Sequence, residues 1–422
     1  MFLRSMISTG CFALIFGTSG LASADAVRYT NGNWFNGVSF SQKDVVVRNG
    51  KIVTDDHSAT VFDLRGAYVI PGLAEAHNHN LQNCYLAPQM AQAYLKRGIL
   101  YSAQLFATDP SGLQCSALFE GTSAPSTAFA RIGVTSSTGH PIGIARAGAK
   151  EAGLDMSFEQ LTEGMLIADN VADLQRKWKQ FRATKTDFVK VVLIDEVNGS
   201  ANTKRPELNG FNGVQRDVLL ALMPLARTAG LRVVAHVDTA ADFRLAAEAG
   251  VDTIAHLPGY RLSKGSTIAQ YRLSEEAVKT AAANSVAVIP TMAASSYYLA
   301  AHPSDAAAVA ELYAHNLRLL KKYQVKLLTG SDRFEGSVLD EISTLSRTGL
   351  FQPAELINMS ASTTAQWMFP KRRVGCLEQD CEASFSVYER DPLKDLANLS
   401  SPYLVFKHGA AVVNNSRVTE KR

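Results

Sequence analysis

The chain has 422 residues, 46% of them hydrophobic and 19% charged, so it can bury a large core and lacks the composition of long disordered tails. Its 42 basic and 39 acidic residues leave a net charge of +3. So even a balance gives no argument for nucleic acid or an anionic membrane as a partner.

The chain opens with Arg4, an apolar run from Cys11 to Phe16 and the small residues Ala22-Ser23-Ala24. This order reads as a secretory signal over 1–24, cleaved before Asp25, and implies a periplasmic or secreted protein. The run is too short to span a bilayer, and no later stretch is apolar enough, so no membrane span is expected in the mature chain. Cleavage leaves Cys84, Cys115, Cys376 and Cys381. An even set in an oxidising compartment favours disulfides. Cys376 and Cys381 can close a small loop, which would leave Cys84 for Cys115; four free thiols are the alternative. None has the CxxC spacing of a zinc site.

Residues 25–70 alternate polar and apolar, as in Asp44-Val45-Val46-Val47-Arg48 before the turn Asn49-Gly50, and read as short antiparallel strands. Residues 371–422 have the same texture at Ser384–Tyr388 and Tyr403–Phe406. Neither end could bury a core alone, so both are expected to pair into one small β-sandwich domain. The middle, 71–370, alternates apolar runs with helical patterns. Its candidate strands are Val69–His79, Ile99–Phe106, Arg131–Ser136, Phe188–Ile194, Arg232–His236, Thr253–His256, Ala287–Pro290 and Lys326–Thr329. Between them, Gly213–Gly230 carries a helical stripe, Ser157 with Gln160 forms a capping box, and Ser274 precedes two glutamates at a helix start. Eight strands alternating with helices predict an α/β fold, a (β/α)8 TIM barrel.

Ligand-type residues gather at the strand ends. His77 and His79 are two apart, so a strand points both the same way. Lys190 lies in the fourth strand, His236 and His256 end the fifth and sixth, and Asp332 follows the eighth. Active sites of this barrel sit at the C-terminal strand ends.

With these residues in order, Val69-Ile70-Pro71-Gly72-Leu73 running into His77-Asn78-His79 resembles the opening of the amidohydrolase superfamily barrel. The remainder resembles its imidazolonepropionase-like and dipeptidase-like branch, including the closing run Ser386-Val387-Tyr388-Glu389-Arg390-Asp391-Pro392. The resemblance implies two divalent metal ions, zinc suiting the imidazole and carboxylate ligands best. His77, His79 and Asp332 would hold one; His236 and His256 the other. A protonated lysine cannot ligate a cation, so the resemblance implies that Lys190 is carboxylated to N6-carboxylysine and bridges the pair. A salt-bridged core lysine is the alternative. Water acidified between two metals would attack a carbonyl carbon, with catalytic Asp332 passing its proton to the leaving nitrogen.

Relatives that deaminate often carry a glutamate three residues after the strand-five histidine; Thr239 stands there. The expected activity is therefore hydrolysis of an amide or peptide C–N bond in a small-molecule substrate, a dipeptide or N-acyl amino acid. A lactone, carbamate or phosphoester hydrolase and a non-catalytic exported binding barrel are the alternatives. His140 follows strand three like a histidine of the dipeptidase-like members. Tyr260, Arg261 and Arg333 are further candidates for substrate contact, the arginines as carboxylate clamps. The run Gly98-Ile99-Leu100-Tyr101-Ser102-Ala103-Gln104 and the polar segment 198–213 depart from the family pattern on the substrate side. A homo-oligomer stays open.

Overall fold

In the computed structural model, which describes residues 26–106, 116–263 and 265–415, the strand expected over Val69–His79 divides at Gly72. The N-terminal strands are Val27–Phe35 (β1), Phe40–Arg48 (β2), Lys51–Val53 (β3), Thr60–Asp63 (β4) and Tyr68–Pro71 (β5). The central ones are Leu73–Asn78 (β6), Ile99–Leu105 (β7), Ser126–Ala130 (β8), Gly133–Thr135 (β9), Met165–Ile167 (β10), Phe188–Leu193 (β11), Arg232–Val237 (β12), Thr253–Ala255 (β13) and Ala287–Ile289 (β14). Phe385–Tyr388 (β15), Leu404–Lys407 (β16) and Ala410–Asn414 (β17) follow. The signal segment expected over 1–24 lies outside the described residues.

Both chain ends do meet. They form one eight-stranded mixed sheet in the order β17-β16-β15-β5-β1-β2-β3, with β4 beside β1. Its aromatic core packs Trp34 and Tyr29 edge-on against Phe385, with ring centroids 5.3 and 5.5 Å apart. At Gly72 the chain leaves this sheet for the central one. Gly72 donates its N–H to Ser384 at 3.0 Å, Leu73 donates to Gly98 at 2.9 Å, and a Cβ on Gly72 would lie 2.5 Å from the Leu100 side chain. The glycine is required by that close approach.

The central strands are parallel and form two sheets, β6-β7-β8 and β10-β9-β11-β12-β13-β14. The fold is therefore α/β with parallel sheets. The expected third strand, Arg131–Ser136, is β9, which pairs with β10 and β11; β8, just before it and paired with β7, is an additional strand. The expected eighth strand is a bridge, not a strand. Leu328 donates to Val288 at 2.9 Å and Ala76 donates to Thr329 at 2.8 Å, which links β14 to β6 through residues 327–329.

Strand period decides what faces the helices. Val189, Val191 and Leu193 of β11 share a core with Val218, Leu219 and Leu222 of the helix Arg216–Thr228. Lys190 and Val192, one residue out of phase, face the other way and line a central cavity. The capping box at Ser157–Gln160 and the Ser274 cap form as the sequence implies. Cys376 and Cys381 are disulfide-bonded. Cys84 is also in a disulfide, and Cys115 lies outside the described residues. Among the described residues no helix is long and apolar enough to cross a membrane.

Candidate metal centre

The C-terminal ends of the central strands open into a cavity of about 490 Å³ lined by His77, His79, Lys190, His236, His256 and Asp332. Period 2 aims His77 from β6 and His236 from β12 into it. His256 stands just past β13 and Asp332 just past the bridged segment 327–329, with φ of 80° and 47°. Non-glycine residues rarely hold such a backbone, and strain of this kind gathers at functional sites.

Asp332 is the focus. Its Oδ1 lies 3.7 Å from the Nε2 of His77 and 3.2 Å from that of His79, and its Oδ2 lies 3.9 Å from the Nε2 of His256. Ligand atoms of His77, His256 and Asp332 all lie within 4.8 Å of one another, close enough to hold one metal ion. Burial would raise the Asp332 carboxyl, but His77, His79 and Lys190 outweigh it and hold the group well below the usual carboxylate range.

Three of the four imidazoles have one nitrogen held by a neighbour. His79 Nδ1 meets Gln82 Oε1 at 2.9 Å, His236 Nε2 meets Asp238 Oδ1 at 3.0 Å, and His256 Nδ1 meets Thr291 Oγ1 at 2.7 Å. The other nitrogen of each is left for a ligand, the arrangement that orients metal-binding histidines. Lys190 is buried, its amine has no hydrogen-bond partner, and burial pushes its pKa down to about 7. An ammonium with no anion in contact is unexplained by protein groups alone. A donor set of imidazoles, one carboxylate and a poised amine fits divalent metal.

The Asp332 loop is stitched to β6 by polar residues that the sequence does not single out. Asn78, between the two histidines, donates to Ser331 Oγ at 3.0 Å and to the Arg333 carbonyl at 3.1 Å. Glu75 accepts from the Ser331 N–H at 2.8 Å and hydroxyl at 2.9 Å, and burial pushes its carboxyl up to about 8. Glu341 accepts from the N–H groups of Met292 and Ala293 at 3.0 and 2.7 Å, fixing the turn that carries Thr291.

The remaining candidates divide. His140 lines the cavity and stacks on His236 at 5.0 Å between centroids, its Nδ1 buried and unpartnered. Tyr260 stacks on His256 at 4.5 Å and donates its hydroxyl to Asp238 at 2.9 Å. Arg261 places Nε and Nη2 on Asp238 Oδ2 at 3.1 and 2.7 Å. Arg333 stands outside the cavity lining, its guanidinium 3.7 Å from Asp340. Thr239, where a deaminase glutamate would stand, is an N-cap instead: it forms a capping box with Asp242 over the helix Ala240–Ala249.

The sequence pattern of the amidohydrolase family matches residues 68–412, more than three quarters of the chain. The chain belongs to the amidohydrolase family. It is a hydrolase acting on C–N bonds. Solved amidohydrolase-like structures share its fold. A Xaa-Pro dipeptidase with bound methionine superposes with a TM-score of 0.74 at 18% identity, covering 92% of this chain and 100% of its own. Ochratoxinase from A. niger gives 0.71 at 15% identity, covering 93% and 96%. Phenylurea hydrolase B gives 0.67 at 17% identity, covering 92% and 97%. No curated protein sequence matches the chain.

Proposed function

We propose that this amidohydrolase is an exported, metal-dependent enzyme that cleaves an amide C–N bond in a small molecule. The observation that carries the reading is the cluster around Asp332: three imidazole Nε2 atoms within 3.9 Å of its carboxylate, beside a buried, unpartnered lysine amine. The two parallel sheets, joined through 327–329, are read as one (β/α)8 barrel, and the mixed sheet of both ends as its companion domain.

His77, His79 and Asp332 would hold one metal and His236 and His256 a second, with His256 also close enough to His77 and Asp332 to serve the first. Lys190 would join them after taking up carbon dioxide, which turns a cation into an anion with two oxygens. Zinc suits these ligands best. Bound there, the metals would supply Lewis acidity and lower the pKa of water. Asp332, held as a carboxylate, would take the proton of that water and deliver it to the leaving nitrogen. His140 lines the cavity beside His236 and would orient the carbonyl. Solved structures of a dipeptidase, a molinate hydrolase and a phenylurea hydrolase share the fold, which supports amide-like substrates without choosing among them.

Dipeptides and N-acyl amino acids are to be tested beside their uncharged amides, then carbamates, lactones and phosphoesters. The deciding experiment is chelation. Amide hydrolysis lost on metal removal and regained with zinc supports the reading; hydrolysis unaffected by removal overturns it.

A further inference from the structure

We infer, resting on the hydrolase reading above, that the cavity takes an uncharged substrate with an apolar or aromatic body, not one bearing a free carboxylate. Two independent features carry this. The first is charge. Among the described residues lining the cavity, Arg261 is the one guanidinium, and its Nε and Nη2 both lie on Asp238, at 3.1 and 2.7 Å. Asp238 is itself buried and bonded to His236, so the pair is locally neutral and built into the wall. Arg333, the second clamp suggested by the sequence, does not line the cavity; its guanidinium lies behind the wall, 3.7 Å from Asp340 and 5.6 Å from the centre of the Tyr297 ring. Lys190, the remaining cation, is assigned to the metals. Among the described residues, a substrate carboxylate would therefore find no unpaired guanidinium in the cavity lining to clamp it.

The second feature is the apolar wall of the same cavity. Phe106, Ile144, Val192, Tyr297, Tyr298 and Phe334 line it. Ile144, Tyr297 and Phe334 are 51%, 51% and 59% exposed, among the most exposed large apolar side chains described. Exposed apolar side chains gathered at one cavity mouth mark a place where a ligand covers them. The wall is fixed in place. Phe334 donates its N–H to the Tyr297 hydroxyl at 3.0 Å, which ties two of its rings together. Phe106 packs where residue 133 must be glycine, since a Cβ there would lie 1.8 Å from its ring. A preformed aromatic wall recognises a flat apolar group with little loss of side-chain freedom.

The test uses the zinc-loaded full-length enzyme and two shape-matched probes, N-benzoylphenylalaninamide and N-benzoylphenylalanine. Turnover and competitive binding by calorimetry are measured for both. The neutral probe is expected to bind at least about tenfold tighter, one desolvated charge being worth that much or more. Equal or tighter binding of the acid overturns the inference, whether or not either probe is cleaved. Tighter binding of the neutral probe with no cleavage of any amide leaves the inference standing and overturns the hydrolase reading. Phe334→Ala should weaken the neutral probe about tenfold and N-acetylalaninamide, which lacks both rings, by less. An equal loss for both would contradict an aromatic subsite.

Discussion

Asp238 holds His236 by a 3.0 Å contact to Nε2 while accepting both Nε and Nη2 of Arg261. A residue that would hold metal is thus oriented by a buried carboxylate, which is in turn anchored by an arginine. Burial alone would raise the Asp238 carboxyl, but Arg261 and His236 override it and hold the group ionised. Asp238→Ala is expected to weaken metal binding by about 10–100-fold, the usual cost of losing such a partner. Competition with a chromogenic chelator measures this. Saturating metal should restore kcat more than KM, because the same change also releases Arg261 and Tyr260 in the cavity wall.

Thr291 does for His256 what Asp238 does for His236, at 2.7 Å. Thr291→Val removes the hydroxyl and nearly keeps the volume. Metal affinity should fall about tenfold while the fold stays intact by circular dichroism. Unchanged affinity would mean that packing alone orients the ring.

These partners explain what could be read in advance. His77, His79, Lys190, His236, His256 and Asp332 were legible because each falls at or just past a short apolar run. Asp238, Thr291, Gln82 and Glu75 were not, because their importance lies in contacts across the fold. Glu75 meets Ser331 across 256 positions, and Thr291 meets His256 across 35. The apolar run through Val69–His79 reads as one strand because Gly72 interrupts no local pattern; the break follows from the Leu100 side chain beside it. β8 is equally silent, since its run Ser126–Ala130 is short and only partly apolar. Arg261 looked like a carboxylate clamp because the sequence does not show that Asp238 reaches it.

Gly72→Ala tests the turn between the sheets. The added methyl would lie 2.5 Å from Leu100. Overpacking of this kind costs about 1–3 kcal/mol, read as a lower urea midpoint. Leu100→Ala in the same chain should recover part of the loss.

Glu341 is buried, and burial pushes its carboxyl from 4.5 up to about 8. The folded protein keeps a proton there that the unfolded chain releases near 4.5, so the group's contribution is present below that pH and lost as pH rises through about 8. Denaturation of wild type and Glu341→Gln between those limits should show the steeper fall in wild type. Parallel curves would contradict the shift.

The metal content of protein purified without chelators, in bicarbonate-containing buffer, tests the central claim most directly. Wild type should carry about two divalent metals per chain, and Lys190→Ala about one or fewer with amide hydrolysis lost. Wild-type protein that hydrolyses amides with less than about 0.5 metal per chain would contradict the account, as would Lys190→Ala that keeps both metals and its activity.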